Sequence, residues 1–161
     1  MKFPFKSVLI ACSVNTARSC MAEGFLKHCF SKNSLEVKVK SGGIATNARD
    51  GMLISIDAQD AMEEIGINLS GSAESTDLKK HRDFIRNADL ILTLTEKHKK
   101  EIKKFVEGDN KPILTLREFA GEKGDIADPS MKGLEGFRIA RDAIIECINK
   151  GLAKYNIKTG D

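Results

Sequence analysis

Apolar and polar residues follow one another in blocks that predict strands and helices in turn. The continuous apolar run over residues 7–11 is typical of a strand buried on both faces of a parallel sheet. Residues 35–40 alternate strictly between apolar and polar and predict a second strand, which Ser41, Gly42 and Gly43 are expected to end. Two further strands are predicted over residues 90–94 and 112–116.

Helical spacing of apolar residues lies between and after these strands. The predicted helices cover residues 21–30, 54–65, a short segment before residue 86, 96–106 and 134–152, with a long loop over 119–132. Strands that alternate with helices predict an α/β fold, a four-stranded parallel sheet flanked by helices on both faces. No linker divides the chain, so we expect a single domain that spans residues 1–161.

Composition narrows the class of protein. The 161 residues are 41% apolar and 30% charged, which is enough to bury one core. The 26 basic residues are interleaved with 23 acidic ones, so we expect no nucleic-acid partner. The longest apolar run, residues 8–12, is far shorter than the roughly 20 residues of a membrane span. These features, with no apolar stretch of signal-peptide length after the N terminus, predict a cytoplasmic protein that does not bind membranes.

Cysteines and histidines suggest no metal site. The four cysteines form no CxxC pair and have no histidine at zinc spacing, so we expect four reduced thiols and neither a metal nor a cofactor. His28, His81 and His98 lie in charged helical segments and are expected to be solvated. The lysine-rich segment after Glu96 is interpreted as a solvated helix face.

The segment after the first strand has the composition of an oxyanion-binding loop. It is Cys12-Ser13-Val14-Asn15-Thr16-Ala17-Arg18-Ser19, and it lies where a strand leads into a helix, the place where open α/β sheets bind ligands. Backbone N–H groups of such a loop can surround a tetrahedral anion, and the following helix adds the positive end of its dipole. The planar guanidinium of Arg18 can hold two oxygens of the anion.

Cys12 begins this loop and is the candidate nucleophile. The positive electrostatic potential from the backbone N–H groups, the helix dipole and Arg18 favours the thiolate of Cys12, which is the attacking form. Ser19 can donate a hydrogen bond to the sulfur. In the alternative interpretation Cys12 is an inert buried residue and Arg18 a surface residue. The position of the pattern between a strand and a helix favours the functional interpretation.

Residues 8–23, V-L-I-A-C-S-V-N-T-A-R-S-C-M-A-E, resemble the active-site region of the low-molecular-weight protein tyrosine phosphatases. The likeness continues in family order over residues 41–43, 87–98, 116–121 and 125–129. It implies that Cys12 is the nucleophile, that Arg18 binds the phosphate and that Ser19 stabilises the thiolate. It also implies a loop braced by Asn15 through Ser41. The expected substrate-binding residues are those of the loop: Ser13, Val14, Asn15, Thr16, Ala17 and Ser19.

The resemblance further implies that Asp128 is the general acid. Such an acid protonates the leaving oxygen, and its carboxylate can then activate water against a cysteinyl phosphate. A long loop can bring Asp128 over the nucleophile, and Pro129 stiffens the turn. An aspartate before proline is also a common turn cap, and Asp125 is the second candidate for the acid.

Several positions depart from the family pattern. Val14 stands where the family usually has glycine, and a β-branched residue resists positive φ, so the loop either accepts it with negative φ or is distorted. Ala17 replaces a frequent second cysteine, and Cys20 replaces the usual proline. Thr16 resembles the arginine-phosphatase branch of the family.

Two further departures lie outside the loop. Ser130 and Met131 stand where eukaryotic-type members carry aromatic residues. Gly71 and Ser72 stand where the family usually has a histidine.

Three functions remain open. The first is a phosphatase that acts through a cysteinyl phosphate on protein phosphotyrosine or, as the alternative, on protein phosphoarginine. The second is a thiol-dependent arsenate reductase, although residues 70–94, where resolving cysteines are expected, contain none. The third is an inactive phosphate-binding module. For the enzyme, phosphate, vanadate and arsenate are expected to inhibit by occupying the loop.

Overall fold

The computed structural model describes residues 2–69, 73–106 and 111–159, and within them the chain forms an α/β fold. The strands are β1 (Ser7–Cys12), β2 (Lys38–Gly43), β3 (Leu90–Thr93) and β4 (Ile113–Thr115). The helices are α1 (Arg18–Lys32), α2 (Ile56–Glu63), α3 (Arg82–Asn87), α4 (Glu96–Lys103), α5 (Leu116–Phe119) and α6 (Gly133–Ala153).

The four strands form one parallel sheet in the order β2-β1-β3-β4. The first strand is therefore central, and its residue Ile10 lies between Ser41 of β2 and Leu92 of β3. The chain leaves β1 on one side to form β2 and returns on the other side to form β3. The carboxyl end of β1 is thus the switch point at which α/β sheets open a ligand-binding crevice.

Apolar residues cover both faces of the sheet. Val8 and Ile10 of β1 point into the larger cluster, which is completed mainly by α1, α2, α5 and α6. Leu9 and Ala11 point the other way into a smaller cluster that contains Ile85 of α3 and Ile102 of α4. The predicted four-stranded parallel sheet with helices on both faces is confirmed.

The second strand begins and ends later than its alternating pattern predicts. Residues 35–37 precede it, whereas Ser41, Gly42 and Gly43 belong to it and pair with Ile10, Ala11 and Cys12. The glycines are required by close packing and not by a turn. A Cβ atom on Gly42 would lie 2.4 Å from Leu78 Cγ, and one on Gly43 would lie 2.7 Å from the Ser13 carbonyl oxygen.

The fourth strand ends earlier than predicted because a short helix begins at Leu116. Thr115 Oγ1 accepts a hydrogen bond from the Glu118 N–H, and Glu118 accepts one from the Thr115 N–H. This reciprocal capping starts α5, which the sequence interpretation had assigned partly to the strand and partly to the loop.

The short helix predicted before residue 86 is α3. Gly71 and Ser72, which stand where the family usually has a histidine, lie outside the described residues. Among the described residues, no helix combines the length and the apolar character that crossing a bilayer requires.

Candidate active site

The loop over residues 13–17 connects the carboxyl end of β1 to the amino end of α1. The end of β2 holds its first half in place, since Ile44 N donates to Cys12 O (2.9 Å) and Ala45 N to Ser13 O (3.0 Å). Its second half is held by Ser55, whose N–H donates to Thr16 O at 2.9 Å. These three backbone hydrogen bonds hold the loop at both ends.

The Cys12 sulfur is buried and has two polar neighbours. Ser19 Oγ lies 2.8 Å from Cys12 Sγ, and the backbone N–H of Asn15 donates to the same sulfur at 3.2 Å. Cys12 is 4% exposed and Ser19 is fully buried. Hydrogen bonds of this kind stabilise a thiolate relative to a thiol.

Asn15 determines the direction of the hydrogen bonds around the sulfur. Its Oδ1 accepts from Thr76 N (2.9 Å), which assigns Nδ2 as the donor to Ser19 Oγ (2.8 Å) and Ser41 Oγ (2.9 Å). Because Ser19 Oγ accepts from Asn15, its own hydrogen is free to point at Cys12 Sγ. Ser41 in turn donates to Glu23, so the chain of hydrogen bonds continues to the surface.

Asn15 also explains how the loop accommodates Val14. Asn15 has φ of 65°, a left-handed conformation that asparagine tolerates better than β-branched residues do. Val14 is not among the residues with positive φ. The loop therefore accepts Val14 with a φ outside the positive region, and the positive φ falls on Asn15.

Arg18 connects the loop to the segment that carries the candidate acid. Its Nη1 donates to the carbonyl oxygen of Ile126 at 2.7 Å, and Ile126 N donates to Leu94 O at 2.9 Å. Arg18 is 8% exposed and no carboxylate pairs with it in the described part of the chain. A buried guanidinium without an anionic partner favours the binding of an external anion.

Asp128 lies two residues beyond Ile126 on the exposed side of this segment. Its Oδ1 accepts from Ser130 N at 2.9 Å. That bond lowers the pKa of Asp128, and the nearby charge of Arg18 lowers it further. The turn-cap interpretation and the acid interpretation are thus compatible, since the second carboxylate oxygen is free of this bond.

The second candidate acid, Asp125, is already engaged. Its Oδ1 accepts from Glu96 N at 2.8 Å, at the first residue of α4. This bond gives Asp125 a structural explanation as a cap of that helix.

His98 contradicts the expectation that the histidines are solvated. It is 2% exposed, and its Nε2 lies 2.8 Å from Ser13 Oγ in the loop. Burial and the charges of Arg18 and Lys97 lower its pKa to about 4. The sequence analysis missed His98 because its neighbours in the sequence are charged. In the structure α4 has one buried side, which consists of His98 and, four residues later, Ile102. His28 is exposed and His81 is partly exposed, as expected.

The remaining cysteines are free and buried in the structure. Burial raises the pKa of Cys29 to about 11 and also raises that of Cys147. Cys20 lies just behind the loop, where its sulfur donates to Asn15 O at 3.3 Å, and burial raises its pKa. Within the described ranges no three histidine, cysteine or acidic side chains come together as metal ligands.

The buried Cys12 and Arg18 flank the loop over residues 13–17 at the carboxyl end of the central strand, and in the described part of the chain no carboxylate pairs with Arg18. This arrangement defines the class of cysteine-dependent phosphatases, in which the loop binds the phosphoryl group and the sulfur attacks it.

Comparisons with known proteins identify the family within that class. The family model described as "Low molecular weight phosphotyrosine protein phosphatase" matches residues 7–158. The protein-arginine-phosphatase of Geobacillus stearothermophilus is 36% identical over 89% of this chain and 91% of its own. The low molecular weight protein-tyrosine-phosphatase PtpB of Staphylococcus haemolyticus is 31% identical over 89% of this chain and 95% of its own.

A solved structure shows the same architecture. It is a cysteine-to-serine mutant of an arginine phosphatase with a phosphorylated active-site serine, and it is similar with a TM-score of 0.80 and 30% identity over 92% of this chain and 93% of its own. The chain belongs to the low molecular weight phosphotyrosine protein phosphatase family and is a phosphatase, a hydrolase.

Proposed function

We propose that the protein removes phosphoryl groups from phosphorylated proteins, with phosphotyrosine as the leading substrate and Cys12 as the nucleophile. The observation that carries this proposal is the position of Cys12 Sγ, which lies between Ser19 Oγ (2.8 Å) and the Asn15 N–H (3.2 Å) at the start of the loop. Backbone groups of Ser13, Val14, Thr16 and Ala17 then surround the phosphoryl oxygens, and Arg18 holds two of them.

In the first step the Cys12 thiolate attacks phosphorus and the bond from phosphorus to the ester oxygen breaks. The leaving oxygen takes the proton of Asp128, and a cysteinyl phosphate remains in the loop. The phosphorylated serine in the similar arginine-phosphatase mutant supports an intermediate bound at this position.

In the second step water attacks the phosphorus of the intermediate. The Asp128 carboxylate takes a proton from that water, the phosphorus–sulfur bond breaks, and inorganic phosphate and the Cys12 thiolate are released. Ser19 donates to the departing sulfur, because its hydrogen is directed there by Asn15.

Free Asp128 is ionised at neutral pH, whereas the first step requires its protonated form. A bound phosphoryl dianion favours protonation of Asp128, because it offsets the positive charge of Arg18 and repels the carboxylate. The pKa of Asp128 is therefore expected to rise when substrate binds.

The test of the nucleophile uses p-nitrophenyl phosphate and the substitution Cys12→Ser. Turnover is expected to fall below detection while inorganic phosphate still binds, because the loop and Arg18 remain. Cys29→Ser is the matched control, since that cysteine lies in the last turn of α1, at the end opposite the loop. Turnover by Cys12→Ser protein at the wild-type rate would contradict the proposal.

Protein phosphoarginine is the second candidate substrate. Thr16 favours it as a small polar residue of the loop, and so does the 36% identity to an arginine phosphatase. The two substrates are compared as peptides that differ only in the phosphorylated residue. We expect a higher kcat/KM for the phosphotyrosine peptide. A higher kcat/KM for the phosphoarginine peptide would make phosphoarginine the leading substrate.

Arsenate reduction is not supported by the thiols. That chemistry needs accessible cysteines to resolve the intermediate, and Cys20, Cys29 and Cys147 are buried with raised pKa values.

A further inference from the structure

His98 approaches the loop from the opposite face of the sheet to α1. It lies in the first turn of α4, and its Nε2 is 2.8 Å from the Oγ of Ser13, the residue that follows the nucleophile. Its other ring nitrogen, Nδ1, is buried and has no hydrogen-bond partner in the described part of the chain. The ring therefore makes one polar contact, and that contact is with the loop.

The missing partner of Nδ1 indicates which nitrogen carries the proton. If Nδ1 carried it, a buried N–H donor would be left without an acceptor, which is rare in proteins and costly. If Nε2 carries it, the N–H donates to Ser13 Oγ and only a lone pair on Nδ1 is unused. The second tautomer is favoured.

Burial is the main cause that lowers the pKa of His98 and keeps the ring neutral at assay pH. Arg18 and Lys97 oppose protonation and outweigh Asp125 and Asp128, which favour it, while burial acts in the same direction as the two cations. The ring therefore keeps one N–H group and one unprotonated nitrogen through the working range.

The Nε2–H tautomer has a consequence for Ser13. When Ser13 Oγ accepts a hydrogen bond from His98, the hydroxyl hydrogen must point elsewhere. Within the described ranges Ser13 Oγ has no second partner. A loop that binds a phosphoryl dianion offers an acceptor for this hydrogen.

We propose that His98 is a positioning residue that donates from Nε2 to Ser13 Oγ and thereby directs the Ser13 hydroxyl hydrogen to the bound phosphoryl group. Ser13 then contributes an O–H donor in addition to the backbone donors of the loop. The inference rests on the proposed function, because it needs a phosphoryl group in the loop.

The first test measures the binding of inorganic phosphate by calorimetry in Cys12→Ser protein, where no turnover occurs. Ser13→Ala and His98→Leu are each expected to weaken binding roughly 10- to 100-fold, the value of a hydrogen bond to a charged group. His98→Gln is expected to retain most of the affinity, because its amide can donate in place of Nε2. His28→Gln, on the exposed side of α1, is the control.

The double variant separates positioning from a merely structural role. If His98 acts through Ser13, His98→Leu should cause no further loss of affinity in Ser13→Ala protein. Additive losses would overturn the proposal, and so would unchanged affinity in both single variants. Failure of the proposed function is a different result, in which the protein with Cys12 intact does not hydrolyse aryl phosphates.

A spectroscopic measurement keeps the proposal testable if His98→Leu does not fold. Nitrogen-15 NMR of the imidazole ring in the otherwise unaltered protein distinguishes the two neutral tautomers. Protonation at Nε2 is expected, with a change in its signal when phosphate is added to wild-type but not to Ser13→Ala protein. A proton on Nδ1 would overturn the assignment.

Discussion

Asn15 contributes to the candidate site through its backbone, its side chain and its conformation. Its backbone N–H donates to the sulfur of Cys12, the proposed nucleophile, its side chain orients Ser19 and Ser41, and its positive φ forms the bend of the loop. The family resemblance predicted the link to Ser41. The bend and the bond from Thr76 could not be predicted, because they depend on a backbone conformation and on a residue 61 positions away.

Removal of the candidate acid is expected to affect poor leaving groups most. Asp128→Ala should slow turnover of alkyl phosphates by roughly 10²- to 10⁴-fold, because an alkoxide needs a proton to leave. Turnover of p-nitrophenyl phosphate should decrease less, because its leaving group is a stable anion. The measurement is kcat for a series of phosphomonoesters with graded leaving-group pKa.

Asp125→Ala is the matched control for this series, since Asp125 lies on the same segment but caps α4. It should change kcat little for every ester. Equal losses for good and poor leaving groups in Asp128→Ala protein would remove Asp128 from the acid role.

At the scale of elements, the sequence was informative where burial alone decides the structure. The apolar run of β1 and the helical spacing of α6 predicted both elements to within about two residues. The start and end of β2 were predicted less well, because its glycines were interpreted as a turn when they meet Leu78 and the loop backbone. Close approach between distant segments leaves no periodic signal in a sequence.

His98 was missed for a related reason. The segment after Glu96 is dominated by lysines, and its charge pattern is that of a solvated helix. The buried side of α4 is narrow, with His98 and Ile102 on it. The i, i+4 spacing of these two residues was the available signal.

The two glycines of β2 should respond differently to substitution. In Gly43→Ala the new methyl would meet backbone atoms, Ser13 O at 2.7 Å and Val14 Cα at 2.9 Å, so the loop must move. We expect a large loss of kcat/KM with the fold retained. The measurement combines aryl phosphate kinetics with far-ultraviolet circular dichroism.

Gly42→Ala is the comparison, since its methyl would meet the buried side chain of Leu78. Overpacking of this kind costs about 1–3 kcal/mol of the free energy of unfolding. Its kcat/KM at low temperature should stay closer to wild type than that of Gly43→Ala. A Gly43→Ala protein with wild-type kinetics would show that the loop tolerates the displacement.

At the scale of the whole molecule, we expect the free energy of unfolding to decrease in two stages as the pH is lowered. The folded state holds the pKa of His98 at about 4, below its ordinary value of 6.5. Between these values the unfolded chain binds a proton that the folded chain does not, so the free energy of unfolding falls as the pH is lowered. The slope from one such proton approaches about 1.4 kcal/mol per pH unit.

The second stage involves Glu64, which connects the end of α2 to α6 through Arg138 (2.6 Å) and Arg141 (2.7 Å). These bonds lower the pKa of Glu64 to about 2 from 4.5. Its stabilising effect is complete above pH 4.5 and is lost as the pH falls towards 2.

Urea unfolding at closely spaced pH values measures both stages. His98→Gln should flatten the decline between pH 6.5 and 4, and Glu64→Gln should reduce the decline below 4.5. The exposed His28→Gln variant is the control. A His98→Gln protein whose stability falls as steeply as that of the wild type between pH 6.5 and 4 would contradict the assignment.

The bond from Arg18 to the Ile126 carbonyl has a consequence for the protein during its synthesis. The two residues of this bond are 108 positions apart in the sequence. Asn15 likewise accepts a hydrogen bond from Thr76, which follows it by 61 positions. The ribosome therefore releases Cys12 and its loop before it releases the residues that hold them, Thr76 and Ile126. A nascent chain displays Cys12 long before it possesses a formed anion site, so catalytic competence arises late in translation.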